Sequence, residues 1–274
     1  MIVKKPINLE LTINSGQTSQ PPWKFENDTY SDVISVDSKV KILYVTQEDN
    51  FIKTNSKEAI EIFDLDFNLD KFYKYLANYD ELKDMARFCD GLRIFHAKDP
   101  FECIISSISS ANNSIKRWTS SITQIKENWG LKVDDYHTFP DYSKNIDEAS
   151  LKKCGLGYRS SYIKKTFNII NENPEILDIG DMKYLEAFET VLKLPGVGPK
   201  VADCILLYGF GFKEAFPSDV WIKRIVSHLY FNGNDISVDK VRNFGMEEFG
   251  DKAGYVQLYM FHYARKSGLM SKLK

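Results

Sequence analysis

Apolar and polar positions alternate along the first third of the chain. Leu9, Leu11 and Ile13 would share one side of an extended strand, and Val33-Ile34-Ser35-Val36 and Val40-Lys41-Ile42-Leu43-Tyr44-Val45 follow, separated by Gly, Pro and Asn-Asp signals. This predicts a small antiparallel sheet. At Leu69, Phe72, Tyr75 and Leu76 the period becomes helical, and from about Asp99 onward almost everything reads as helices broken by Gly and Pro. Asn173-Pro174 closes one helix, Gly209 and Gly211 another, and Asn232-Gly233 a third. Strands followed by helices imply an α+β fold. The change of period divides the chain into an N-terminal antiparallel sheet domain, residues 1–94, and a mainly helical domain, residues 95–274. No repeat or low-complexity linker intervenes, so the sheet is expected to pack on the helical body as one compact unit. At 274 residues the chain can bury a large core.

Within the helical part, Tyr184, Leu185, Phe188, Val191 and Leu192 recur at helical spacing, and Val201, Ala202, Ile205, Leu206 and Tyr208 do so again. Between them lies Leu194-Pro195-Gly196-Val197-Gly198-Pro199-Lys200. Two glycines in a tight loop that opens into a helix present N-terminal backbone N–H groups to an anion with no Cβ in the way. Pro199 suits the first helical turn, where its missing N–H costs nothing. Lys200 then stands at the mouth of a phosphate cradle. No strand precedes the glycines and no Gly-Lys-Ser/Thr follows, which weakens a nucleotide-hydrolysing reading. Further on, Asp219 occupies a natural N-cap ahead of the amphipathic run Val220, Ile222, Ile225, Val226 and Leu229. Capping and catalysis are compatible tasks for one carboxylate.

The net charge of −2 is poor support for a nucleic-acid binder. Its distribution alters that: residues 1–150 sum to −6 and residues 151–274 to +4. The basic excess travels with the hairpin, as expected when one part of the surface faces DNA. Cys89, Cys103, Cys154 and Cys204 form no C-x-x-C pair and none lies in the last seventy residues, so neither zinc nor a C-terminal iron–sulfur cluster is implied. No metal or other cofactor is expected. No apolar stretch reaches membrane-spanning length and the N-terminus lacks a signal-peptide pattern, so the expectation is a cytoplasmic, nucleoid-associated protein, or a nuclear one in a eukaryote.

The hairpin and the aspartate about twenty residues beyond it resemble the helix-hairpin-helix DNA glycosylases. An N-terminal sheet ahead of the helices is similar to the 8-oxoguanine branch of that superfamily. Matching segments occur in the same order: Ser15-Gly16-Gln17, Asp99-Pro100-Phe101-Glu102-Cys103, Ser110-Ala111-Asn112-Asn113-Ser114-Ile115-Lys116-Arg117, Gly155-Leu156-Gly157-Tyr158-Arg159, the hairpin, and Ala253-Gly254-Tyr255-Val256-Gln257-Leu258-Tyr259-Met260-Phe261. The resemblance implies a monomeric base-excision enzyme acting on double-stranded DNA that contains a damaged base, with 8-oxoguanine opposite cytosine as substrate. Breaking the C1′–N bond calls for a nucleophile at C1′ and a negative charge beside the sugar cation, roles suited to Lys200 and Asp219. A Schiff base on Lys200 would then allow strand nicking. For this the amine must be neutral at some point, which burial near other positive charge would favour.

By motif position, the flipped base would meet the Gly16 carbonyl at the end of the first strand, the Gln257 amide, the Phe261 ring on one face and Cys204 on the other. Asn112, Arg117, Tyr158 and Arg159 would wedge the duplex and bond the orphaned cytosine. Amides around Gly196, Gly198 and Val201, together with Asn113, would hold DNA phosphates. Two segments depart from the family pattern: Trp221 stands where histidine is common, and Thr18-Ser19-Gln20-Pro21-Pro22-Trp23-Lys24 replaces an aromatic-rich rim. The same fold directed at another oxidised or alkylated base remains open. So does a non-catalytic helix-hairpin-helix DNA-binding protein, although that would have no use for Asp219 and Gln257 in these places.

Overall fold

A computed structural model describes residues 1–36, 39–49 and 51–269. Five antiparallel strands, β1 (Ile2–Val3), β2 (Lys24–Glu26), β3 (Thr29–Val36), β4 (Lys39–Glu48) and β5 (Phe51–Thr54), lie in the order β1-β5-β4-β3-β2. The alternating runs form the long β3–β4 hairpin, with Val33 opposite Ile42 and Tyr30 opposite Val45. Tyr30, Ile34, Leu43, Val45 and Ile52 are buried with Trp23, Phe63 and Phe95.

The expected first strand is a helix instead, α1 (Leu9–Ile13). A run of Leu-x-Leu-x-Ile over five residues satisfies both periods. The Asn8 side chain decides the outcome by accepting the Leu11 N–H at 2.9 Å, a typical N-cap bond. Leu9 and Ile13, four apart, are buried on the inner face, while Leu11 is only partly covered. Gly16 therefore follows a helix and not a strand.

The remaining helices are α2 (Glu58–Ile62), α3 (Leu69–Leu76), α4 (Lys83–Phe88), α5 (Pro100–Ser110), α6 (Ile115–Trp129), α7 (Glu148–Leu151), α8 (Arg159–Glu172), α9 (Tyr184–Leu192), α10 (Pro199–Phe210), α11 (Val220–Tyr230), α12 (Val238–Phe249) and α13 (Ala253–Lys266). The helical stretch also contains a two-residue ribbon, β6 (Lys132–Val133) with β7 (Tyr136–His137), too short for periodicity to register. Asp99 caps α5 by accepting the Phe101 N–H at 2.8 Å, and Pro100 sits in the first turn. Among the described residues no helix is long and apolar enough to cross a membrane.

Helix α10 lies between two cores. Cys204, Leu207 and Tyr208 pack with α3, α4 and α11 to α13, whereas Val201, Ala202, Ile205 and Leu206 pack with α5, α6, α8 and α9. It is also anchored by charge. Asp203 is fully buried and accepts the Arg242 guanidinium from α12 at 2.7 and 3.1 Å, with the Tyr184 hydroxyl of α9 joining the pair. Such a bidentate fork fixes orientation as well as charge. The helix that carries Lys200 is thus held from three sides.

Candidate active site

Leu194 and Val197 are buried and seat the α9–α10 hairpin on the core. Gly196 adopts φ 78°, which a side chain disfavours, and a Cβ there would stand 2.5 Å from the Tyr162 ring. Gly198 is the extended N-cap of α10 and supplies no side-chain cap bond, so the first-turn amides keep their donors for an external anion.

The hairpin borders an open cleft of about 960 Å³. Gly16, Asn112, Asn113, Arg117, Gly196, Gly198, Lys200, Val201, Cys204, Asp219, Gln257 and Phe261 all line it, drawn from segments up to 245 residues apart in the chain. Tyr158 and Arg159 do not.

Lys200 lies in the first turn of α10, with Cys204 one turn further along the same helix and Asp219 beside them at the N-terminus of α11. Asp219 Oδ1 accepts the Trp221 and Ile222 amides, both at 2.9 Å. The cap expected from the sequence is present. It uses one oxygen, and among the described residues no hydrogen bond occupies Oδ2. Burial works to lower the pKa of Lys200, but Cys204 and Asp219 outweigh it and the net displacement is upward. The expectation that burial near other positive charge would favour the neutral amine is corrected accordingly: burial does act that way, but Cys204 and then Asp219 together outweigh it, and the resting enzyme holds an ammonium. Burial also raises the Cys204 thiol, against the opposing charge of Lys200, so it remains protonated at neutral pH.

Gln257 is buried in the opposite wall, on α13. Its Nε2 donates to the Pro217 carbonyl at 2.9 Å, and its Oε1 has no hydrogen-bond partner. Because a carbonyl can only accept, this bond fixes which end of the amide faces the backbone and leaves a buried acceptor at the cleft. Phe261 follows one turn later and is partly exposed. Gly16, at φ 87°, is held by its neighbour: Gln17 donates to the Arg93 carbonyl at 2.9 Å and accepts the Phe95 amide at 2.9 Å. The unusual segment after Gln17 is buried at residues 18–21 and at Trp23, with Pro22 and Lys24 exposed. Thr18 lines the cleft, Gln20 donates to the His96 carbonyl at 2.7 Å, and the Trp23 indole donates to Gln20 at 3.1 Å.

Asn112 takes φ 49° at the tip of the α5–α6 loop, and Arg117 is exposed one turn into α6. Arg159 is different. It is buried, donating through Nε to the Ala111 carbonyl at 2.8 Å and through Nη2 to the carbonyls of Ala111 and of Asn112, the latter at 2.9 Å. In the free protein its donors hold the Asn112 loop and do not face the cleft. The Arg159 guanidinium also covers the Tyr158 ring at 4.5 Å, leaving that ring 57% exposed.

Sequence reasoning passed over Tyr208 and Arg265 and met Thr18 only as part of an altered rim; all three line the cleft. Only Arg265 carried a usable signal, being four residues beyond Phe261 and eight beyond Gln257. Trp221 is 42% exposed at the cleft rim.

Residues 105–250 match the HhH-GPD superfamily of base excision DNA repair proteins, and residues 1–104 match the N-terminal domain of 8-oxoguanine DNA glycosylase. The chain belongs to the HhH-GPD superfamily. It is 40% identical to a Methanothermobacter thermautotrophicus protein described as a probable N-glycosylase/DNA lyase, over 97% of this chain and 96% of that one. It superposes with a TM-score of 0.87 and 31% identity on the 8-oxoguanine glycosylase/lyase of Clostridium acetobutylicum bound to double-stranded DNA with cytosine opposite 8-oxoguanine, covering 97% and 95% of the two chains. This HhH-GPD protein is a bifunctional N-glycosylase/DNA lyase. A 3-methyladenine DNA glycosylase from Archaeoglobus fulgidus shares the fold, with a TM-score of 0.80 at 23% identity over 97% and 98% of the chains. The fold by itself therefore does not select the lesion.

Proposed function

We propose that this glycosylase removes 8-oxoguanine opposite cytosine from double-stranded DNA and then nicks the strand through Lys200. The duplex lies along the hairpin amides of Gly196, Gly198 and Val201, and the damaged nucleotide is flipped into the cleft at a cost of about a few kcal/mol. Lys200 passes its extra proton to the departing base, its Nζ lone pair attacks C1′, and the C1′–N9 electron pair leaves with the base. Asp219 offsets the positive charge on the sugar. Opening of the sugar ring gives a Schiff base on Lys200; loss of a C2′ proton then expels the 3′ phosphate. The protein acts as a monomer where chromosomal DNA lies, in a cytoplasm or a nucleus. Residues 1–94 contribute Gly16, and residues 95–274 contribute the hairpin, Lys200 and Asp219.

The observation that carries the lesion assignment is the buried, unpartnered Oε1 of Gln257. A guanine-type Watson–Crick edge offers N1–H and N2–H donors to such an acceptor, whereas adenine presents an acceptor at N1. Undamaged guanine has a lone pair at N7 and 8-oxoguanine a proton, so the Gly16 carbonyl accepts only from the lesion. Phe261 and Cys204 cover the two faces of the base. Arg117 reads the orphaned cytosine, whose O2 and N3 acceptors suit a guanidinium, while Asn112 and Tyr158 fill the gap and Asn113 meets a phosphate.

The test uses duplexes with single 8-oxoguanine, 3-methyladenine or no lesion, with borohydride added to trap an imine. The expected result is excision and trapping on 8-oxoguanine, no trapping by Lys200→Gln, and a loss of about 10²-fold or more in excision by Asp219→Asn with DNA binding kept. Excision of 3-methyladenine alone would reject the lesion, and trapping by Lys200→Gln at the wild-type rate would reject the nucleophile.

A further inference from the structure

Arg265 continues the α13 stripe of Gln257 and Phe261 into the same cleft. Its guanidinium carbon lies 5.0 Å from the centroid of the Phe261 ring, and its Nη1 donates to the Ser15 carbonyl at 3.3 Å. The same nitrogen would stand 3.4 Å from a Cβ placed on Gly16. Among the described residues no Asp or Glu forms an ion pair with it; burial lowers its pKa, and the charge of Asp219 opposes that only in part. A guanidinium carries five donors in a rigid fork, and the Ser15 bond occupies one. One wall of the cleft thus presents a main-chain acceptor at Gly16 and an unpaired cationic donor side by side, with the fork held by a ring.

We propose that Arg265 is a base-recognition residue that donates to a carbonyl oxygen flanking the N7–H of an oxidised purine while Gly16 accepts that N7–H. This role rests on 8-oxoguanine being the substrate. On that edge 8-oxoguanine places a donor between two acceptors, O6 and O8, so an acceptor with a cationic donor beside it is the complementary pair. Undamaged guanine brings two adjacent acceptors, and its N7 lone pair faces the Gly16 oxygen. Guanine therefore cannot reach the position in which Arg265 bonds without meeting that repulsion. Arg265 contributes to binding of the base and not to the sugar chemistry, and this separates it from Lys200 and Asp219.

The test compares the wild type, Arg265→Ala and Arg265→Lys on an 8-oxoguanine duplex and on a duplex with a preformed abasic site, with melting temperatures alongside. An abasic site has no base to recognise. The expected result for Arg265→Ala is a loss of about tenfold or more in single-turnover excision, the scale of a hydrogen bond to a charged group, with abasic-site incision within about twofold of wild type. Arg265→Lys keeps the charge without the planar fork and should fall with it. Unchanged excision by Arg265→Ala, equal loss on both substrates, or full recovery by lysine would each overturn the assignment. A wild type that incises abasic sites but leaves 8-oxoguanine untouched would reject the lesion and this role together; wild-type excision with an indifferent alanine variant rejects this role alone.

Discussion

Gln257→Met should separate recognition from stability. The glutamine is buried, and two opposing terms act at its amide. Removing Nε2 orphans the Pro217 carbonyl, at about 1–3 kcal/mol. Removing Oε1 eliminates an acceptor that already lacks a partner, which returns a cost of similar size. Methionine is unbranched and of similar length, so little cavity or overpacking follows. The net change in folding free energy should lie within about 1 kcal/mol of zero, or about 2–4 °C in melting temperature for a chain of this size. Excision should behave differently. A guanine-type base in the cleft would leave N1–H and N2–H facing a thioether, at about 1–3 kcal/mol for each donor, and 8-oxoguanine removal should fall by about thirtyfold to 10⁴-fold. Incision at a preformed abasic site should persist. The assay pairs thermal melting with single-turnover excision on the two duplexes. A melting temperature lowered by 10 °C or more, with normal excision by the folded fraction, would refute the reasoning and make Gln257 a structural residue.

The two arginines assigned from the sequence to the orphaned base should part company. Arg117→Ala should narrow the preference for cytosine over adenine opposite the lesion while leaving the melting temperature unchanged, because the side chain is exposed. Arg159→Ala should lower stability by about 1–3 kcal/mol as well, because the Ala111 and Asn112 carbonyls lose their donors; an Arg159 variant as stable as wild type would show that these bonds do not hold the loop. For pH, burial followed by the charge of Glu102 raises Asp99 to about 6. A raised carboxyl contributes stability below its unfolded value near 4 and loses that contribution as pH rises through about 6. Asp99→Asn, which keeps an N-cap, should therefore gain on wild type by up to about 2–3 kcal/mol at pH 7–8 and by nothing near pH 3.5. Equal differences at both pH values in denaturant melts would contradict this.

What could be read in the chain was what depends on neighbours in sequence. The hairpin is a run of seven residues whose glycines and Pro199 each have a local reason, and Asp219 announces itself as a cap ahead of an amphipathic helix. Leu9, Leu11 and Ile13 misled because five residues cannot distinguish period 2 from 3.6; the Asn8 cap bond settles the matter. Gln257 and Phe261 share a helix face by spacing, but that Oε1 would be left without a partner depends on where Pro217 runs. Arg159 looked like a free cation because nothing local reveals that its donors meet the carbonyls of a loop 47 residues upstream. The charge of Lys200 was misjudged in part for the same reason: Cys204 lies one turn along the same helix, but Asp219 is brought beside the amine only by tertiary packing.

The anchoring of α10 by Asp203, Arg242 and Tyr184 bears on how such an enzyme could change its target. Moving Lys200 by even a fraction of a helical turn would open a buried ion pair, so the proposed nucleophile is a fixed tool mounted on a frame. The substrate must be bent and rotated to meet it. The residues proposed to inspect the base sit elsewhere, on α13 and on the loop after α1, and neither shares that ion pair. Libraries that vary Arg265, Phe261 and Thr18 while leaving α10 untouched could then search for new lesion preferences without risking the chemistry, in the way a lathe accepts different workpieces once its cutting edge is clamped.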